Sequence, residues 1–135
     1  MSEANETPTA ARQSPYEMLG GEAGLRTLVD RFYEVMDTAP EAAVIRAMHA
    51  SDLAPMRQRL FEFLSGWLGG PPLFSERTGS VCITGAHKPF KIGEAERDEW
   101  LFCMNKALAD TGVSAEVQQM LKNPLFGIAN FLRNQ

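Results

Sequence analysis

The chain has 135 residues, enough to bury one substantial core and too few for two independent ones. Its 44% hydrophobic and 22% charged residues are ordinary for a folded globular protein and exclude a fibrous repeat or global disorder. A net charge of −4 at pH 7 opposes both the phosphate neutralisation that nucleic acids demand and attraction to anionic lipid, which leaves small ligands and proteins as partners.

Residues 1–13 are polar and lack apolar periodicity, so they are expected to form a mobile tail before one domain spanning 14–135. Ser14-Pro15-Tyr16-Glu17 combines a capping serine, a proline at the first helical position and a glutamate that can reach back to the cap. A short helix is predicted there, stopped by Gly20-Gly21. Leu25, Leu28, Val29, Phe32, Val35 and Met36 then share one face of a helix that runs to about Asp37, ahead of Pro40. Glu41 to Met48 reads as a short helical turn.

With Ser51 or Asp52 as cap, Leu53, Met56, Leu60, Phe63, Leu64 and Trp67 line the face of a further helix, ended by Gly69-Gly70-Pro71-Pro72. Residues 71–93 hold four scattered glycine and proline breaks after that and no sustained period, so a long loop is expected, with room for one helical turn near His87. Glu94, Glu96, Asp98 and Glu99 put acid at the start of the next helix, whose apolar face is Trp100, Cys103, Met104, Ala107 and Leu108. Gly112 closes it. Ser114 caps a last helix bearing Val117, Met120 and Leu121, which Pro124 should kink before Leu125 to Leu132 resumes. The only strand-like run is Val81 to Thr84, so the fold class read from the pattern is all-α.

Cys82 and Cys103 are too far apart for a chelating pair and too few for a disulfide framework, which fits a reducing, cytoplasmic setting. No run approaches the roughly 20 apolar residues of a membrane span, and the N-terminal segment has no apolar signal region. Neither membrane insertion nor secretion is expected.

Two histidines are the candidate ligands. His87 sits beside Phe90 and Ile92, where a neutral imidazole could take a metal through one ring nitrogen while a carbonyl orients the other; from the residue alone, a surface-loop histidine is the commoner reading. His49 reads in the same two ways. A bare zinc ion wants three or four ligands, and the spacing of His49, His87, Cys82 and Cys103 matches no zinc pattern. A porphyrin brings four nitrogens and asks the protein for one axial ligand and an apolar slot, so one histidine would be enough. Tyr33 and Trp100 flank their apolar faces as aromatics with polar tips. No phosphate loop, nucleophile elbow or Ser/His/Asp set is present.

Whole phrases carry the reading further: Arg31-Phe32-Tyr33, then Leu60 to Trp67 followed by Leu68-Gly69-Gly70-Pro71, then the run from His87-Lys88-Pro89-Phe90 through Ile92-Gly93 and Glu96-Arg97-Asp98 to Trp100, and a closing Ala129 to Asn134. In these the chain resembles the truncated haemoglobins of group II over nearly its whole length. The resemblance implies a two-over-two helical sandwich around haem b, with His87 as the proximal iron ligand. It puts Tyr33 and Trp100 on the distal side, His49 at a polar distal position and Met56 at the distal helix position. Leu60, Phe63, Leu64, Phe74, Phe90, Ile92 and Met104 are implied to line the haem.

Two positions depart from the pattern. Relatives often carry arginine before the proximal histidine to pair with a haem propionate; here Ala86 stands there, and Arg77 or Lys88 are the available substitutes. Met56 stands where a small residue is usual, and either it or His49 could reach the iron in the ligand-free state. The implied function is reversible binding of dioxygen and of related diatomics such as nitric oxide and carbon monoxide, for transport or storage, by a monomer or homodimer. The alternatives are a haem-dependent peroxidase or nitric oxide detoxification enzyme drawing electrons from an external reductase, and a haem-free helical interaction module.

Overall fold

The computed structural model describes residues 13–78, 87 and 90–135, without the side chains of residues 77 and 78. The tail through residue 12, the strand-like run from residue 81, and Ala86 and Lys88 lie outside the described residues.

Helix α1 (Pro15–Met18) opens on the expected reciprocal cap: Glu17 N–H donates to the Ser14 hydroxyl at 3.2 Å and Ser14 N–H to the Glu17 carboxylate at 3.0 Å. Gly20 (φ 101°) and Gly21 (φ 68°) make the left-handed turn into α2 (Gly21–Thr38) that a side chain would resist. All six residues of the predicted α2 face are buried, and Tyr33 joins them at 5% exposure. A 3-10 turn (Pro40–Ala42) and α3 (Ala43–Ala47) follow. Then come α4 (Ala54–Trp67), α5 (Leu73–Thr78), α6 (Glu94–Asp110) and α7 (Ala115–Phe131).

The core forms where α2 crosses α6, with α4 packed beside α2 and α7 beside α6. Two helices thus lie over two, and among the described residues there is no strand. No helix is long and apolar enough to cross a membrane among those residues.

Three expectations change. Asp52 accepts a hydrogen bond from Ala54 N–H at 3.0 Å, but the residue at the helix boundary is Leu53, so the cap acts one residue early. Leu73 to Thr78, expected as loop, is helical: Pro72 leads into α5, and its carbonyl accepts from Glu76 N–H at 3.0 Å and from the Ser75 hydroxyl at 3.2 Å. Six residues with two apolar positions give too short a period to detect. Pro124, expected to interrupt the last helix, lies inside one continuous α7. It is exposed, as is Met120 a turn earlier, so water can satisfy the Met120 carbonyl that proline leaves without a donor.

The face of α4 is also turned from its predicted setting. Phe61, Leu64, Ser65 and Leu68 are buried in the core, whereas Met56, Leu60, Phe63 and Trp67 are only half-buried. Four of the six predicted stripe residues thus pack against the core without being fully covered by it.

Gly24 is where α1 and α2 come closest, because a Cβ there would overlap the Leu19 carbonyl oxygen. An exposed helical Gly→Ala change normally gains about 1 kcal/mol from propensity. Gly24→Ala is expected to reverse that sign and cost about 1–3 kcal/mol as the turn is forced open, read as a lower urea midpoint in equilibrium unfolding.

Candidate functional site

Three elements bring polar-tipped aromatics together. Phe32, fully buried, sits edge-on to Tyr33 with ring centroids 4.9 Å apart and tilted to Trp100 at 5.4 Å, so α2 and the first turns of α6 are joined through its ring. His49, just past α3, meets Tyr33 edge-on at 6.1 Å. Among the described residues, neither the Tyr33 hydroxyl nor the Trp100 indole N–H makes a hydrogen bond. Trp100 is only half-buried, and the fully buried side-chain nitrogen or oxygen without a partner among the described residues is Arg133 Nε, so the phenol and indole tips keep contact with solvent and are available to a polar ligand. Burial pushes the Tyr33 phenol well above its usual range, against a smaller downward pull from Arg57, so Tyr33 is a donor throughout neutral pH. Arg57 is itself held by the Asp30 carboxylate at 3.2 Å.

His49 is differently placed. Its Nδ1 lies 2.8 Å from the Ile45 carbonyl. A carbonyl only accepts, so Nδ1 carries the proton, and Nε2 of the neutral ring is an acceptor. The Ile45 N–H in turn donates to the Glu99 carboxylate at 3.0 Å. The backbone N–H and C=O of one residue, Ile45, therefore link His49 to the residue preceding Trp100, and α6 fixes the loop after α3.

The half-buried side of α4 borders a cavity of about 670 Å³. Its wall combines Phe63 and Trp67 from α4, Phe74 and Ser75 from α5, and Ile128 and Phe131 from α7. The rings of Phe63 and Phe74 meet edge-on at 5.9 Å. Pro124 and Gly127 complete the α7 side, and a Cβ at Gly127 would meet nothing within 4 Å, so glycine leaves that wall open. Glu62 is the one carboxylate on the wall among the described residues; it accepts from the Gln58 side-chain amide at 2.8 Å. The volume and aromatic lining are those of a site for a large, flat, apolar group, within the usual range of about 300–1,000 Å³ for cofactor pockets.

Of the residues singled out from sequence, Phe63 and Phe74 lie on this wall, while Tyr33, His49 and Trp100 form the separate aromatic cluster. Met56 and Leu60 are half-buried against the core on the same helix as Phe63. Leu64 and Met104 are 2% and 1% exposed, deep in the packing between helices. His87 has helical backbone and a half-buried side chain, and its carbonyl accepts from Phe90 N–H at 3.0 Å. Ile92 is half-buried and Phe90 is 41% exposed. The Arg77 side chain lies outside the described residues. Sequence reading passed over Ile128 and Phe131, which continue the apolar period of α7 beyond Pro124 and were hidden by the expected kink. Cys103 is buried, and desolvation raises its thiol to about 11, so it is an inert packing residue at neutral pH.

These features define a globin of the two-over-two kind, and comparison with known proteins agrees. Residues 14–134 match the family model of bacterial-like globins, and the chain belongs to that family. A cold-adapted truncated hemoglobin from the Antarctic marine bacterium Pseudoalteromonas haloplanktis is 41% identical with a TM-score of 0.87, covering 91% of this chain and 99% of that one. The group II 2-on-2 hemoglobin of the plant pathogen Agrobacterium tumefaciens is 40% identical with a TM-score of 0.87, covering 100% of this chain and 99% of its own. A truncated oxygen-avid haemoglobin from Bacillus subtilis is 34% identical with a TM-score of 0.82, covering 90% of this chain and 100% of the other. Within the family, the chain's likeness is to group II.

Because burial favours its neutral form, the Tyr33 phenol is expected to stay protonated to about pH 11 in the folded chain. Ultraviolet difference titration of tyrosinate up to that pH should therefore give the same amplitude for the native chain and Tyr33→Phe; a smaller amplitude in the variant means that Tyr33 ionises.

Proposed function

We propose that this globin holds haem b in the slot bordered by α4, α5 and α7, with His87 as the axial ligand, and binds dioxygen reversibly. The observation that carries the reading is the partly covered apolar stripe of α4 and the cavity against it. Met56, Leu60, Phe63 and Trp67 are half-buried, and an aromatic-walled cavity lies directly against the last two. A stripe and cavity of that size left open to water would be a standing cost at roughly 25 cal/mol per Å² of apolar surface, and a flat macrocycle removes it. The donor set fits as well, since a porphyrin needs one imidazole and no cluster of acidic or thiol ligands. Among the described residues there is no such cluster.

Haem, if bound, would supply an iron able to take a diatomic ligand. Discrimination then belongs to the chain. Trp100 and Tyr33 are donors without an acceptor among the described residues, so they would favour a ligand that carries partial negative charge over apolar carbon monoxide. His49 has its Nδ1 engaged by the Ile45 carbonyl, which leaves Nε2 as the ring atom able to orient neighbouring donors. Reversible uptake also agrees with the oxygen-avid character of the Bacillus subtilis protein.

A hydrogen bond to a charged acceptor is worth about 1.5–3 kcal/mol, which corresponds to roughly ten- to a hundredfold in affinity. Trp100→Phe is therefore expected to release dioxygen at least about tenfold faster by stopped-flow; an unchanged rate removes Trp100 from ligand retention. His87→Gly is expected to lose the Soret band of the native chain after expression with ample haem, and an unaltered spectrum overturns the proximal assignment.

A further inference from the structure

The segment between His87 and α6 is held by the far end of the chain. The Asn134 side-chain amide donates from Nδ2 to the Phe90 carbonyl at 2.7 Å, and its Oδ1 accepts from Ile92 N–H at 2.9 Å. The Asn134 backbone N–H donates to the Ile92 carbonyl at 2.9 Å, and Gln135 N–H reaches the same oxygen at 3.2 Å. One planar amide thus spans a C=O and an N–H two residues apart.

The anchorage is braced on both sides. Gly93 N–H donates to the Glu96 carboxylate at 2.8 Å, which fixes the start of α6. Arg97 Nη1 donates to Asn130 Oδ1 at 2.9 Å, tying α6 to the last turn of α7 just before Asn134. Toward His87, the link is the Phe90 N–H to the His87 carbonyl, so the peptide units on either side of Phe90 are tied to Asn134 and to His87. Asn134 is exposed and Phe90 is 41% exposed, and solvent-exposed hydrogen bonds add little to global stability. Their effect is on where the segment sits.

We infer that Asn134 is a positioning residue for the proximal histidine: it fixes the backbone that carries His87 and so sets the orientation and retention of the axial bond. The inference rests on the reading of His87 as that ligand. Aspartate lacks the donor toward Phe90 and alanine lacks both groups, so the two variants divide the contact.

The test uses the haem-loaded chain with Asn134→Ala and Asn134→Asp. Three readouts are taken: transfer of haem to excess apomyoglobin, the iron–histidine stretching band of the ferrous protein by resonance Raman, and the thermal midpoint. Haem transfer about tenfold faster in the alanine variant, with a shifted or broadened band, supports the inference. A smaller change of the same kind in the aspartate variant, with the midpoint nearly unmoved, supports it further. A lowered midpoint with native band and transfer rate overturns it, because that is merely structural behaviour. His87→Gly is run in parallel. If the native band does not depend on His87, the ligand assignment fails; amide exchange then tests the anchorage alone, with Ile92 N–H expected to exchange at least about tenfold faster in Asn134→Ala and native exchange overturning it.

Discussion

The crossing of α2 over α6 at Phe32 is the contact on which the rest of the molecule depends. Phe32 is wholly buried, and its ring touches Tyr33 on its own helix and Trp100 on the other. Aromatic pairs in edge-on and tilted contact gain about 0.5–1.5 kcal/mol beyond their buried area, and they hold orientation as well as distance. Any change in the crossing angle would separate the phenol and indole tips. The same ring therefore supports the core and aims the two donors.

A short chain must economise on what encloses a ligand. Here α5 is six residues long, and the described part of the segment before α6 is held by side chains rather than by a helix of its own. Order comes from termini of other elements: the Glu96 carboxylate at the start of α6, Asn130 and Asn134 at the end of α7. Polar anchorage of this kind costs little apolar surface, which leaves Phe63, Phe74, Ile128 and Phe131 free to line a cavity instead of a core. The price is a core that is complete on one side of α4 only.

Much of this was readable from residue order. The α2 face was legible to the residue because 3.6-residue spacing and full burial coincide there: every apolar position meets another helix. The caps at Ser14 and Ser114 were legible because capping is local chemistry. On α4 the same spacing misled, since periodicity reports an apolar stripe and not which half of it meets protein and which half meets something else. The α7 wall was missed for a related reason: Pro124 is a break by local rules, and only its exposure explains why the helix continues.

Among the described residues, sequence alone anticipated every helix but α5, the buried face of α2 and, through whole phrases rather than single residues, the kinship with group II truncated haemoglobins. It could also name Tyr33, His49, His87 and Trp100 as the side chains with chemistry to offer. Tertiary structure decided which nitrogen of His49 faces a carbonyl, that Tyr33 and Trp100 find no acceptor among the described residues, and that Asn134 reaches back across 42 residues to Ile92. Those facts depend on contacts between residues far apart in the chain, and no local spacing rule encodes a distance that only the packing of helices sets.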